Sequence, residues 1–343
     1  MTQADTLKAP FPYFGGKRTV AAEVWRRLGN VDNYLEPFSG SAAVLLARPD
    51  SHEWWDKTET INDKGGFVAN AWRALQVQPA KVAKYADWPM NENDLHARHA
   101  WLVGQRDSLT AQLEGNPDYY DAKIAGWWIW GMSCWIGGGF CSGNGPWQVQ
   151  DGKLVNLSND GQGVSRRLVH LSNDGMGVTR QIVHLSNDGQ GVNRKLVAEG
   201  IYEWFERLQE RVRRVRVCSG DWSRILGPAV LRCDDMASVG VFLDPPYSAD
   251  QGRDMGVYSV DDGSVAHDVR KWAVEWGKHP KLRIALCGYE GIDMPSDWLV
   301  YEWKAAGGYG SQGEGTGREN AYRERIWFSP ACRASEGVQA NLL

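Results

Sequence analysis

The chain has 343 residues, 43% of them hydrophobic, and a formal net charge of -4, enough material for one large or two smaller folded domains. That mildly acidic balance supplies no general basic field, so any contact with nucleic acid must come from local clusters of Lys and Arg. The six cysteines include no C-x-x-C pair and no His pair at zinc spacing, the N-terminus lacks signal-peptide regions, and no apolar run approaches the roughly 20 residues of a membrane span, so a reduced, metal-free cytoplasmic protein is expected.

The first element is the segment KRTVAAEVWRRLG, where Val20, Ala21, Val24 and Leu28 fall at helical spacing and Gly29 supplies a stop. Next, NYLEPFSGSAAVLLA (33 to 47) reads as a short strand, a Pro and Gly/Ser loop, and a helix from near Ala42. A strand running through a glycine loop into a helix N-terminus is the usual opening of a nucleotide-binding α/β unit. TINDKGGFVANAWRALQ repeats the pattern, with Asp63 at the tip of a strand and a helix from Phe67. An acid at the tip of the second strand is where such folds often hold a ribose hydroxyl.

From 76 to 214 the α/β rhythm is interrupted. The interval holds a helix at YYDAKIAGWWIWG, a glycine loop GGGFCSGNGPW (137 to 147), and three copies of a 14-residue repeat from Asn156 to Val197. The cluster WWIWGMSCW belongs to a chain with 18 tryptophans and reads as core packing. Each repeat carries Asn-Asp-Gly, a tight-turn signal, beside β-branched residues, which predicts short antiparallel hairpins. Each also places a cation at one phase: Arg166, Arg180 and Arg194, with Lys195 following the last. Two readings stand open for these cations, a comb laid against phosphates or a duplicated surface hairpin whose Asp160, Asp174 and Asp188 cancel much of the charge.

The α/β rhythm then returns. IYEWFERLQERVRRVRV is a helix running into a strand, VRVCSGDW sets Asp221 just past a strand end, and VFLDPPY is the next strand. Val241, Phe242 and Leu243 end that strand because the following prolines cannot donate to a sheet ladder, leaving Asp244 at a C-terminal edge where α/β sheets bind ligands. Taken alone, DPPY is also consistent with a plain proline-rich turn. VAHDVRKWAVEWGK is a helix, and LRIALCGYE, WLVYEWK and RERIWFSP are closing strands. The pieces at 10 to 75 and 215 to 330 are expected to form one sheet, with the middle inserted.

In chain order, YFGGK (13 to 17), EPFSGSAAV (36 to 44), Asp63, the insertion, GDW (220 to 222) and DPPY (244 to 247) resemble the Dam-like class of S-adenosylmethionine-dependent DNA adenine-N6 methyltransferases, phage members included. The resemblance implies an α/β, Rossmann-like methyltransferase sheet. Residues 1–75 and 215–343 would form the cofactor-binding catalytic domain, and 76–214 an inserted target-recognition region with hairpin repeats at 156–197. It implies that Tyr13, Gly15, Gly16 and Lys17 close over S-adenosylmethionine, and that Glu36 with Pro37, Phe38, Ser39, Gly40 and Ser41 receives its methionine portion. Asp63 would bind the ribose hydroxyls, while Asp221, beside Trp222, would accept from the adenine amine. The partner implied is double-stranded DNA, with no membrane and no metal, and the protein would be a monomer or weak dimer. Ser142 and Asn144 of the glycine loop join Arg166, Arg180, Arg194 and Lys195 as candidate DNA contacts. Where the family more often has a further glycine, this chain has Ala42 or Ala43, and little harm is expected, because alanine still opens a helix well.

The residues of DPPY suit that chemistry. An exocyclic adenine amine is a poor nucleophile, since its lone pair is delocalised into the ring. Asp244 and the Pro245 carbonyl can each accept one N–H and aim the lone pair at a methyl donor, with Pro246 stiffening the turn. Tyr247 would stack on a base that has left the duplex. GGK at 15 to 17 is no P-loop, because Arg18 stands where Ser or Thr is required. Cytosine-N4 methyltransferases more often have Ser at the Asp244 position, and glutamine-modifying enzymes Asn. A catalytically silent DNA-binding module is the alternative from another class, and the intact acids at 36, 63, 221 and 244 argue against it.

Overall fold

The computed structural model describes residues 7–13, 15–135, 140–141, 147–150, 153–156, 194–246, 264–303 and 323–333. Helix α1 (Ala21–Leu28) leads to β1 (Asn33–Glu36), α2 (Ala43–Leu46), β2 (Thr58–Asp63) and α3 (Gly66–Val77). The segment between the two α/β pieces contributes α4 (Pro79–Ala86), α5 (Glu92–Gly115), α6 (Ala122–Cys134), the hairpin β3 (Trp147–Gln150) and β4 (Lys153–Asn156), and α7 (Arg194–Val212). Then follow β5 (Arg216–Ser219), α8 (Pro228–Leu231), β6 (Val239–Leu243), α9 (Val265–Trp276), β7 (Leu282–Tyr289), β8 (Leu299–Glu302) and β9 (Glu324–Phe328).

Seven of these strands form one sheet in the order β5-β2-β1-β6-β7-β9-β8, all drawn from the two outer stretches, as expected. The pairs from β5 through β7 are parallel, whereas β9 runs antiparallel to both β7 and β8. Buried on both faces, β6 is a continuous apolar run, the composition that a central parallel strand requires. From β1 the chain steps outward to β2 and β5, then returns to lay β6 on the other side of β1. The strand order therefore reverses between β1 and β6, and the crevice beyond their C-terminal ends is where open α/β sheets bind ligands.

Helices α4 to α7 are not held at arm's length. Val82, Leu102, Leu113, Trp128, Phe205 and Leu208 share one buried cluster with Trp72 of α3 and Tyr34 of β1. Polar ties reinforce this packing. Arg73 of α3 donates to carbonyls of Val217 on β5 and Leu113 on α5, at 3.0 and 3.1 Å. Glu59 of β2 accepts from Arg211 of α7 at 2.7 Å and from Arg48 at 3.1 Å, and all three side chains are buried. One carboxylate between two guanidinium groups pins α7 to the sheet, and removing it would strand two buried charges.

One expectation needs correction. The end of the third repeat, from Arg194 to Val197, belongs to a helix and not to a hairpin. Downstream, Ile201, Trp204, Phe205, Leu208 and Val212 are buried at spacings of three and four, and that period carries the helix back into the repeat. Asn156, which opens the first repeat, ends β4, and residues 157–193 lie outside the described ones. Ala42 sits in the left-handed region (φ 48°) ahead of α2, which has only four residues. That conformation costs an L-residue about 1–2 kcal/mol. Its buried methyl returns about 0.8 kcal/mol, leaving a small net strain. Among the described residues, no helix is long and apolar enough to cross a membrane.

Candidate active site

Each of the strands β1, β2 and β6 ends in, or is followed by, an acid: Glu36, Asp63 and Asp244. All three line one cavity of about 920 Å³, open solvent at its mouth included. The loop after β1 supplies Pro37 to Ser41 to the same wall, the N-terminal loop supplies Tyr13, Gly15, Gly16 and Lys17, and the turn after β5 supplies Asp221 and Trp222. Pro246 lines the cavity too, whereas Pro245 is buried and does not. Thus the segments singled out in the sequence converge on the strand-order reversal. Lys64, Gly65 and Val265 also line it without having been singled out in the sequence, as does Gly220 of the GDW motif. Tyr247, Ser142, Asn144, Arg166 and Arg180 lie outside the described residues, and Arg194 and Lys195 lie at the start of α7.

Glu36 is buried, with Oε2 accepting from the Tyr34 hydroxyl at 3.0 Å and from the Leu45 amide at 3.2 Å. Burial pushes its carboxyl up to about 8, against the lowering effect of those donors, and Asp244 and Glu59 push it further up. Near neutral pH Glu36 is therefore mostly protonated. Asp63 is held differently: its two oxygens accept from the Gly40 and Gly65 amides, at 2.9 and 2.8 Å. Burial raises it to about 6, with both amides opposing, so it stays mainly ionised at neutral pH. Each carboxylate oxygen keeps a further lone pair for a ligand hydroxyl.

The loop geometry depends on Gly40. Its φ is +43°, and a Cβ there would lie 2.5 Å from the Tyr13 ring. Its carbonyl accepts from the Trp72 indole at 3.0 Å while its amide serves Asp63, so the peptide is fixed from both sides. Gly40→Ala is expected to destabilise the fold by about 1–3 kcal/mol through backbone strain and displacement of Tyr13. Thermal unfolding checks this, and an unchanged melting temperature would show that the loop relaxes freely.

Asp221 caps the short helical turn that follows it, its Oδ1 accepting from the Ser223 amide at 3.0 Å. Phe38 and Trp222 stack across the cavity wall with centroids 6.3 Å apart and an interplanar angle of 26°. Asp244 pairs with Lys17, which approaches its Oδ2 to 3.0 Å and also lies 3.6 Å from Glu324 at the start of β9. Glu324 escaped the sequence reading. Because β9 is antiparallel, its first residue lies at the same sheet edge as the last residues of β1 and β6. Among the described residues no three His, Cys, Asp or Glu side chains gather as a metal site.

The cavity thus combines a buried neutral carboxyl, a buried carboxylate fed by backbone amides, an aromatic wall and an ion-paired aspartate. That set suits a ligand with a cationic head, vicinal hydroxyls and a flat ring, beside a second reactant that donates hydrogen bonds to Asp244. No protein-family model matches the chain, and no curated protein matches it.

Proposed function

We propose that the protein is a DNA methyltransferase that uses S-adenosylmethionine to methylate the N6 amine of an adenine flipped out of double-stranded DNA. The observation that carries this reading is the convergence of Glu36, Asp63 and Asp244 on one cavity at the strand-order reversal, with Asp244 opening the DPPY turn. When bound, S-adenosylmethionine supplies an electrophilic methyl group on a sulfonium leaving group. Glu36 would meet the ammonium of the methionine portion, Asp63 the ribose hydroxyls, and the wall of Phe38 and Trp222 the adenine ring. Asp244 accepts one N–H of the target amine and orients its lone pair. Pro246 and the buried Pro245 restrict the backbone behind Asp244, so the acceptor is fixed before the base arrives.

Sequencing DNA from cells that express the protein, by a method sensitive to N6-methyladenine, tests the reading directly. Methylated adenine at a recurring site is expected, and its absence alongside cytosine-N4 methylation would transfer the chemistry to the other amine. Asp63→Ala is expected to weaken S-adenosylmethionine binding by about 1.5–3 kcal/mol, the range for a lost hydrogen bond to a charged group. Calorimetry measures this. A dissociation constant equal to that of the parent protein would move the ribose away from β2.

A further inference from the structure

Three segments far apart in sequence bring charged side chains together at one end of the cavity. Lys17 from the N-terminal loop reaches Asp244 after β6 at 3.0 Å and Glu324 on β9 at 3.6 Å, and it donates to the Gly15 carbonyl at 2.9 Å. The Lys17 side chain is 4% exposed, and those of Asp244 and Glu324 are 19% and 12% exposed. Solvent therefore screens the group poorly, and Lys17 stands between two carboxylates. Other described groups also lie close by. Cys287 of β7 faces the Asp244 carboxylate with a thiol that burial keeps protonated, and Trp303 lies 6.0 Å from the ammonium. Glu36 adds a further acid on the β1 side, mostly neutral near pH 7, and Arg323 and Arg325 beside Glu324 pair with Glu290.

Resting on the methyl-transfer reading above, we propose that Glu324 is a positioning residue that shares the Lys17 ammonium with Asp244, so that Lys17 pairs with Asp244 yet yields to the target amine. Lys17 lies 3.0 Å from Asp244 and 3.6 Å from Glu324. A buried Lys and Asp with no third partner would bind each other tightly, and the incoming N–H would have to compete with a charge-assisted hydrogen bond. Glu324 removes that penalty. It stands just beyond hydrogen-bonding range, and a shift of about half an ångström would bring the ammonium within reach of it. Lys17 can therefore relax from Asp244 without becoming an unpaired buried charge. Without Lys17, by contrast, Glu324 would lose the cation that lowers its carboxyl and keep the Asp244 carboxylate that raises it, and so hold its proton to higher pH.

The test compares the parent protein with Glu324→Gln, Lys17→Met and the double variant. On duplex DNA containing the target adenine, Glu324→Gln is expected to lower kcat about tenfold, with KM for DNA and cofactor affinity within about threefold, because only the step at Asp244 is affected. In Lys17→Met the acid limb of the pH profile of kcat should move up by about one unit or more, and adding Glu324→Gln should move it back down. A merely structural Glu324 would lower kcat without moving the limb. Melting temperature against pH, measured without cofactor or DNA, reads the same coupling: Lys17→Met should lose stability as pH rises and both carboxylates must ionise, and the double variant should recover part of it. An unmoved limb, or a double variant no better than Lys17→Met in both measurements, overturns the proposal. A parent protein that methylates no DNA would overturn the functional reading instead. The melting curves would then still decide whether Asp244 and Glu324 share Lys17, and parallel curves would reject it.

Discussion

Asp244→Ala is expected to lower methyl transfer by about 10²–10³-fold while S-adenosylmethionine affinity stays within a few-fold, the scale for losing a preorganised electrostatic contact to the reacting group. The surroundings of Asp244 make this a clean experiment. Removing one partner of a buried ion pair usually strands the other charge and destabilises the fold. Here Lys17 keeps Glu324, 3.6 Å away, as a second counter-charge, so the variant should remain folded. Cofactor contacts are assigned to Glu36 on the adjacent strand β1 and to Asp63 on β2 beyond it, and their hydrogen bonds run to Tyr34, Leu45, Gly40 and Gly65. Turnover on duplex DNA and calorimetric titration of the cofactor separate the two effects. Near-normal turnover in Asp244→Ala would remove Asp244 from the chemistry, and a large loss of cofactor affinity would make it a cofactor ligand instead.

Much of this arrangement was legible because it is local. An apolar run that ends in an acid and is followed by glycine or proline marks a strand, its end and the functional edge at once, as at Asp63 and Asp244. Asp221 could be read in the same way, from VRVCSGDW. What escaped is non-local. That Lys17 meets Asp244 and Glu324 depends on β9 running antiparallel beside β7, which no short window of sequence encodes. Helix α5 was also missed, although Leu95, Leu102, Leu109 and Leu113 are its buried leucines. Charged and polar residues separate them, and Arg98 and His99 share the buried face, so the apolar stripe is broken. The helical start of α7 lay hidden under a repeat whose Asn-Asp-Gly signals suggested turns. The backbone of Ala42 differs again. Its left-handed conformation follows from closing the loop between Glu36 and α2, and an alanine in a sequence gives no warning of it.

The second large effect concerns Glu36 and proton linkage. Burial raises its carboxyl from 4.5 to about 8, so between those values the folded protein holds a proton that the unfolded chain has released. Stability therefore falls as pH rises through that window, by about 1.4 kcal/mol per unit at the steepest, and by a few kcal/mol in total. Asp63, raised to about 6, adds a smaller loss of the same sign at the acid end. Glu36→Gln, which keeps the shape without the titration, should flatten the decline above about pH 6. A cationic ligand reverses the preference, because an ammonium beside Glu36 favours the carboxylate and expels the proton. S-adenosylmethionine affinity should accordingly rise up to tenfold per pH unit below about 8. Above that it should level off or fall, since an α-amino group itself deprotonates at about 7.7–8.0. At pH 7, titrations in two buffers of different ionisation heat should differ by nearly one proton released per site. Equal heats in both buffers, together with an affinity independent of pH, would mean that the ligand's cationic end lies away from Glu36, and the orientation assigned to the cofactor would have to be reversed.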